Sequence, residues 1–236
     1  MRIFALGDLH LSFSSGKPMD VFGEHWKDHH EIVERHWRAL VSGEDVVLVP
    51  GDVSWAMTME DARPDLEWLA ALPGRKILVK GNHDYWWSSM TRLVRFLPPG
   101  IIPLQYSAVK VGNLVVAGTR GWLSPLSEEY REERDGRIYR RELLRLEMAL
   151  DAAAGLAGED DDLLVMMHFP PVVSGRPTDF FPLMVERGVR TCVYGHLHGQ
   201  KWDRRVDGEM EGLRYVLVSA DRLGFRPLEI GEARCC

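Results

Sequence analysis

Short apolar runs rich in Ile, Val and Leu recur along the chain: Arg2–Leu6, Asp45–Val49, Lys76–Val79, Leu163–Met167, Arg190–Tyr194 and Tyr215–Val218. Each is stopped by Gly, Pro, Asp, Asn or another polar residue, so the runs predict short buried strands. Between them the apolar positions step by three and four. Trp26, His30, Val33, Trp37 and Leu40 form one such series, and Tyr139, Leu143, Leu146 and Leu150 form another. That is the period of an amphipathic helix, and its alternation with strands predicts a layered α/β architecture. In the middle of the chain Ile101–Leu104, Ser107–Val111 and Leu114–Gly118 follow one another closely, with Gly112-Asn113 as a tight turn. This spacing predicts an antiparallel meander, and therefore mixed rather than purely parallel sheets. No linker, repeat or low-complexity tract interrupts residues 1–236, which are expected to form a single domain.

Composition narrows the function classes. Apolar residues make up 45% of the 236 and charged residues 27%, the balance of a globular protein rather than a disordered one. Lys plus Arg number 29 against 35 Asp plus Glu, a net charge of −6. No basic excess marks a nucleic-acid or membrane-surface binder, and the acidic balance leaves room for bound cations. Three cysteines, two of them the adjacent Cys235 and Cys236, make no disulfide framework and no Cys-x-x-Cys metal or redox site. The N-terminal apolar run is too short for a signal-peptide core or a membrane span. A reducing, cytoplasmic setting is the expectation.

The chemistry lies where the runs end. The first leads into Gly7-Asp8-Leu9-His10, the second into Pro50-Gly51-Asp52 and the third into Lys80-Gly81-Asn82-His83-Asp84. Two more lead into His168 and into Gly195-His196-Leu197-His198. Ligands of open α/β sheets bind at the carboxyl ends of the strands, because the loops there vary while the strands hold side chains rigidly. Carboxylate, imidazole and amide oxygen donors, with no thiolate, suit divalent Mn, Fe or Zn and argue against copper or iron–sulfur sites. Seven such ligands exceed what one catalytic metal with an open position takes. They suffice for two ions about 3.5–4 Å apart sharing a carboxylate, an arrangement that polarises a phosphoryl group and ionises the attacking water. In Asp8-Leu9-His10 and His196-Leu197-His198, residues two apart face the same side of an extended chain, and the preceding glycines let the backbone turn without a Cβ in the way.

These ordered blocks, Asp8-x-His10, Gly51-Asp52, Gly81-Asn82-His83-Asp84, His168 and Gly195-His196-x-His198, resemble the signature of the calcineurin-like metallophosphoesterases. The likeness runs from residue 8 to residue 198. The resemblance implies a four-layer α/β/β/α sandwich of two mixed β-sheets flanked by helices. It also implies that Asp8, His10, Asp52 and His198 hold one metal ion, that Asp52, Asn82, His168 and His196 hold a second, and that Asp52 bridges them. Gly-Asp-Val-Ser-Trp, Asn-His-Asp-Tyr-Trp-Trp and Gly-Thr-Arg-Gly-Trp are similar to those of a bacterial subgroup of phosphohydrolases, whose substrate the resemblance does not supply.

His83 lies beside these ligands without being needed as one, which makes it a candidate general acid, with Asp84 orienting it and favouring its protonated form. The expected mechanism is in-line attack of a metal-activated hydroxide on phosphorus, with His83 protonating the departing oxygen. Asp84 reads equally as the N-cap of a helix over Tyr85–Leu97. Trp55, Trp86, Trp87 and Trp122 flank the motifs; Trp55 and Trp87 are candidate stacking surfaces for substrate, and Arg120 is a candidate phosphate contact, against core packing and a structural salt bridge as the plainer readings. The segment Leu11–Gly23 is expected to overhang the site, and the loops after Trp122 and His168, including Pro170–Pro182, to wall it into a pocket. His25, His29, His30 and His36 are assigned to one amphipathic helix, with His30 in its apolar stripe, rather than to a second metal site. Glu128, Glu129, Glu132, Glu133 and Glu142 alternate with the arginines from Arg131 to Arg145 as a solvated helix face, and Glu159–Asp162 is a solvated acidic loop. The expected enzyme cleaves a small organophosphate, a phosphodiester or nucleotide-like compound first. A nuclease, a lipid-linked pyrophosphate hydrolase and a non-catalytic protein-binding scaffold are the rivals.

Overall fold

A computed structural model describes residues 1–199 and 206–234; Cys235 and Cys236 lie outside the described residues. Two mixed sheets carry the fold. In the first, β1 (Arg2–Ala5), β2 (Val46–Val49), β3 (Arg75–Val79) and β4 (Ile101–Leu104) run parallel in that order. In the second, β6 (Leu114–Thr119), β7 (Asp162–Met167), β10 (Thr191–Tyr194) and β12 (Leu213–Leu217) run parallel. The remaining strands are antiparallel: β5 (Ser107–Val111) and β11 (Gly208–Met210) edge the second sheet, β13 (Leu228–Glu232) edges the first, and β8 (Val172–Val173) and β9 (Arg176–Pro177) form a small hairpin.

The period of two along each strand sorts the side chains into layers. Ile3, Ala5, Val46, Leu48, Ile77 and Val79 pack between the sheets against Val116, Leu164, Met166, Val193, Val216 and Val218. The alternate residues Phe4, Val47, Val49 and Leu78 face outward, where α1 (His29–Leu40) and α2 (Met59–Ala71) cover them with Val33, Trp37, Leu66 and Leu69. On the far side Val115, Ala117, Val165, Met167 and Cys192 meet Leu146, Ala149 and Leu150 of α4 (Arg137–Ala154) and Phe180 and Phe181 of α5 (Phe180–Glu186). Helix, sheet, sheet and helix therefore stack in the order expected of the sandwich.

Four sequence expectations need correction. The proposed meander is split: β4 pairs parallel with β3 through α3 (Met90–Phe96), and the chain changes sheets at Gln105-Tyr106, with Tyr106 at φ 49°. A two-residue gap looks the same in a hairpin and in such a switch, whereas Gly112-Asn113 does turn β5 into antiparallel β6. The helix predicted over Tyr85–Leu97 begins only at Met90, with Ser89 as its N-cap, because Trp86 and Trp87 are drawn into the core. Trp26 ends a short 3₁₀ turn, so α1 starts at His29; His29 is buried, and His30 lies half-buried, edge-on to Phe13. Glu142, assigned to a solvated face, is 1% exposed.

Lys76 shows how the layers lock together. Its aliphatic stem is buried in β3, and its Nζ donates to the carbonyls of Ala70 (3.3 Å) and Leu72, satisfying acceptors left open at the end of α2. Burial, helped by Arg38, pushes its ammonium down to about 8. Between pH 8 and the ordinary 10.5 the unfolded chain holds a proton that the folded chain has released, so folding stability rises with pH across that window. Denaturant titrations at pH 8 and pH 10.5 should differ by roughly 1–3 kcal/mol in favour of the higher pH. Lys76→Met should flatten that slope, and an unchanged slope would refute the assignment.

Candidate metal centre and active site

The carboxyl ends of the parallel strands of both sheets meet at one edge. Gly7 pairs with Ser219 as an isolated parallel bridge: Gly7 N donates to Val218 O (2.8 Å) and Ala220 N to Gly7 O (3.0 Å), joining the end of β1 to the end of β12. Here the structure brings together all seven residues proposed as ligands. Asp8, His10, Asp52 and His198 each offer a donor atom within 4.8 Å of the others. Beside them Asn82 Oδ1 lies 2.7 Å from His168 Nε2 and 2.9 Å from His196 Nδ1, and His168 Nε2 lies 3.5 Å from Asp52 Oδ2. Asp52 is the residue common to both groups.

The backbone is bent to make this possible. Asp8, His10, Asp52 and His196 all sit at positive φ, between 44° and 74°, a region that non-glycine residues avoid and that stores strain at functional sites. Gly81 and Gly195 clear the floor: a Cβ on Gly81 would fall on Asp52 Oδ1, and one on Gly195 on Asp8 Oδ2. Any side chain at either position would displace a carboxylate.

Asp84 has a different task from orienting His83. Its carboxylate accepts from the backbone N–H groups of Gly81 (2.8 Å), Asp52 (2.9 Å), Val53 (2.9 Å) and Ser54 (3.2 Å) and from Trp86 Nε1 (2.9 Å). It therefore clamps the turn after β2 to the turn after β3, and neither caps a helix nor touches the imidazole. Burial pushes its carboxyl up, and the backbone donors oppose that. His83 stands over the site with a buried Nδ1 that has no partner, its ring 4.3 Å from Trp55. Burial, then the neighbouring imidazoles of His168 and His198, push it down to about 4, so the resting ring is neutral.

Two further residues escaped the sequence reading. Asp221, following β12, accepts from Gly199 N (2.8 Å) and lies 3.3 Å from His198 Nδ1, aiming the opposite nitrogen of that ring inward. The run Tyr215–Val218 leads into Ser219-Ala220-Asp221, a sixth strand end bearing a polar functional side chain, and that is the signal that could have found it. His29 Nε2 lies 2.8 Å from the carbonyl of Leu9, supporting the turn between Asp8 and His10 from below; nothing in its helical spacing indicates this.

The donor set fits divalent cations. His168 Nδ1 lies 2.9 Å from Pro50 O, which assigns it the proton and leaves the Nε2 lone pair directed at the Asn82 carbonyl oxygen, itself an acceptor. Such facing acceptors are relieved by a cation. Burial would raise Asp8, but the fields of His198, His168 and His10 hold it below the usual carboxylate range. Burial would lower His198, yet Asp8 and Asp221 raise it to about 10, so its ring carries positive charge among these acceptors. Burial, with the fields of Asp84 and Asp8, pushes Asp52 up against the opposing His168, and burial together with His168 pushes His196 down to about 3.

The remaining candidates divide between two recesses. Trp55 stacks on His10 at 4.9 Å and, with Met19, Phe22, Trp26, His83 and His198, lines an apolar cleft of about 270 Å³. Met19 and Phe22 belong to the Leu11–Gly23 segment, which does overhang the site. Trp87 is buried and donates to Gln105; it and Arg120 line a second recess. Arg120 lies 3.6 Å from Glu142 and stacks on Trp122. Trp86 serves Asp84. Of the Pro170–Pro182 loop, Val172, Phe180 and Phe181 are built into the second core.

Strand ends that converge on buried carboxylates and imidazoles, in a four-layer α/β/β/α frame, make a candidate metal centre. The chain belongs to the calcineurin-like phosphoesterase family, which it matches over residues 1–200. The Gene 66 protein of Mycobacterium phage L5 is 30% identical over 77 residues, covering 33% of this chain and only 37% of that protein. Among solved structures, a phosphopantetheinyl hydrolase from Mycobacterium tuberculosis is similar with a TM-score of 0.56 at 16% identity, over 97% of this chain and 95% of that one. A protein of unknown function from Aquifex aeolicus is similar with a TM-score of 0.53 at 17% identity, over the same 97% and 95%. At these identities the likeness is one of fold.

Asp84→Ala would strand four backbone donors and one indole N–H in a buried site. It should lower stability by at least about 3 kcal/mol in denaturant titration. A loss below about 1 kcal/mol would show that the clamp is not structural.

Proposed function

We propose that the protein is a dinuclear phosphohydrolase in which Asp8, His10, Asp52 and His198 hold one divalent ion, Asp52, Asn82, His168 and His196 hold the other, and Asp52 bridges. The observation that carries this is the placing of Asp52 between two donor groups, with all six partners within reach. When bound, Mn, Fe or Zn would supply Lewis acidity to the phosphoryl group and lower the pKa of water. The chain's own residues do the rest. Asp84 and Asp221 hold the bridging carboxylate and His198 in place through the contacts described above, so the site is pre-organised before substrate arrives. His83 faces the cleft, and an incoming phosphate, being anionic, raises the pKa of the ring beside it. It can thus take up a proton and deliver it to the departing oxygen.

The substrate in this reading is a small organophosphate, a diester or nucleotide-like ester first, with its organic group on Trp55, Met19 and Phe22. A cleft of about 270 Å³ roofed by the Leu11–Gly23 segment fits a small ester better than a duplex. The free, buried thiol of Cys192 accords with a reducing, cytoplasmic setting. Among the described residues no helix is long and apolar enough to cross a membrane. A hydrolysis screen of mono- and diesters, a phosphopantetheinyl ester among them, with Mn²⁺, Zn²⁺ or Fe²⁺ added, tests the reading. Strong, salt-sensitive inhibition by long DNA or RNA, with none by mononucleotides, would promote the nuclease instead.

Elemental analysis after reconstitution should find about two divalent ions per chain. Asp52→Asn should lower occupancy at both positions and His10→Ala chiefly at one; a protein free of transition metal after loading would overturn the proposal. His83→Asn should retain metal yet lose roughly 10²–10⁴-fold in rate on an ester with an alkoxide leaving group, and much less on a nitrophenyl ester. Equal losses on both would make His83 structural.

A further inference from the structure

The second recess carries a charge pattern that the metal centre does not use. It has a volume of about 200 Å³ and is lined by Lys80 at the end of β3, Arg120 at the end of β6, and Arg141, Glu142 and Arg145 on α4. Glu142 is the single carboxylate among its lining residues. It is 1% exposed and is already satisfied by Arg145 (2.7 Å), Arg141 (3.3 Å), Arg120 (3.6 Å) and Thr119 Oγ1 (3.2 Å). One carboxylate needs one counter-charge. Four cations surround it here, so the recess holds a surplus of three positive charges in a chain whose net charge is −6.

The surplus is held in place. Arg120 is pinned flat on Trp122, its Cζ 4.4 Å from the ring, and Arg145 lies 5.1 Å over Tyr106. The Lys80 ammonium has neither a hydrogen bond nor an ion pair among the described residues. Cationic side chains ordered by aromatic rings and by one shared buried carboxylate, and crowded despite their repulsion, are arranged to receive an anion. Guanidinium forks with a lysine point charge suit the several oxygens of a phosphate group. The recess also adjoins the metal centre: His168 N and Phe169 N both donate to the carbonyl of Arg120 (3.0 and 3.1 Å), and Lys80 is two residues from Asn82.

We propose that Lys80, Arg120, Arg141 and Arg145 form a phosphate-binding site separate from the metal-ligating cluster. Its ligand is a phosphate group, either free inorganic phosphate or the second phosphate of the molecule whose ester is cleaved. Only the latter source rests on the phosphohydrolase reading. Phosphate binding at the recess stands or falls independently of any turnover.

Isothermal titration of inorganic phosphate into the metal-loaded full chain tests the site directly. Whatever the metal centre binds, Lys80→Met and Arg145→Gln should each bind one equivalent fewer than the parent protein, or bind that equivalent at least tenfold more weakly. Lys80 does not pair with Glu142, so Lys80→Met keeps the buried carboxylate neutralised if Arg145→Gln fails to fold. Phosphate binding by Lys80→Met equal to that of the parent overturns the proposal. The source is distinguished by KM for an ester with and without a second phosphate. A tenfold lower KM for the bisphosphate, lost in Lys80→Met, identifies a substrate phosphate; equal KM values, with the extra binding equivalent retained, identify free phosphate.

Discussion

The Asp84 carboxylate is the contact on which the site depends. Two parallel strands that end side by side leave their next backbone N–H groups without partners, and five donors from the turns after β2 and β3 and from Trp86 converge on this one buried acceptor pair. Burying a carboxylate is costly unless its lone pairs are filled, and here they are filled completely. The same contact sets the backbone of Asp52, the residue shared by both donor groups. Across the sheet interface the Gly7–Ser219 bridge does the corresponding work, bringing Asp8 of the first sheet to Asp221 and His198 of the second. A rigid frame therefore exists before any ligand is considered.

Within that frame the clustered residues are not at rest. Four of them occupy positive φ, and the unprotonated Nε2 of His168 faces the Asn82 carbonyl oxygen at 2.7 Å. Such an arrangement persists only because the sheets and the Asp84 clamp over-determine it, and cations are what relieve it. Gly81 and Gly195 belong to the same constraint, since carboxylate oxygens occupy the space of their missing side chains.

The surroundings of the centre are asymmetric. The cleft over His10 and His83 is walled by Trp55, Trp26, Met19 and Phe22, while the recess beside Arg120 is walled by cations. Two recesses of opposite character therefore flank one cluster of buried carboxylates and imidazoles.

All seven residues that gather at the strand ends were legible in the linear order, because each follows a short apolar run and a strand end is a local feature. A layered α/β architecture was legible for the same reason, since the period of two distributes Ile3 and Ala5 to one face and Phe4 to the other without knowledge of partners, whereas the four-layer sandwich was implied only by the family resemblance. What the sequence could not settle was pairing at a distance. Ile101–Leu104 joined the first sheet rather than a hairpin with β5, since gap length does not distinguish a turn from a change of sheet. Asp84 looked like a cap or an orienting residue until four backbone donors from two different turns were found around it. Arg120 and Trp87 looked like neighbours of the metals, and Glu142 looked like one of many surface charges. Only the packing of α4 over β5 and β6 buried that carboxylate and gathered cations from three elements around it. Net charge is a sum over the whole chain, whereas binding depends on local charge density, and that is fixed only when distant segments are brought together.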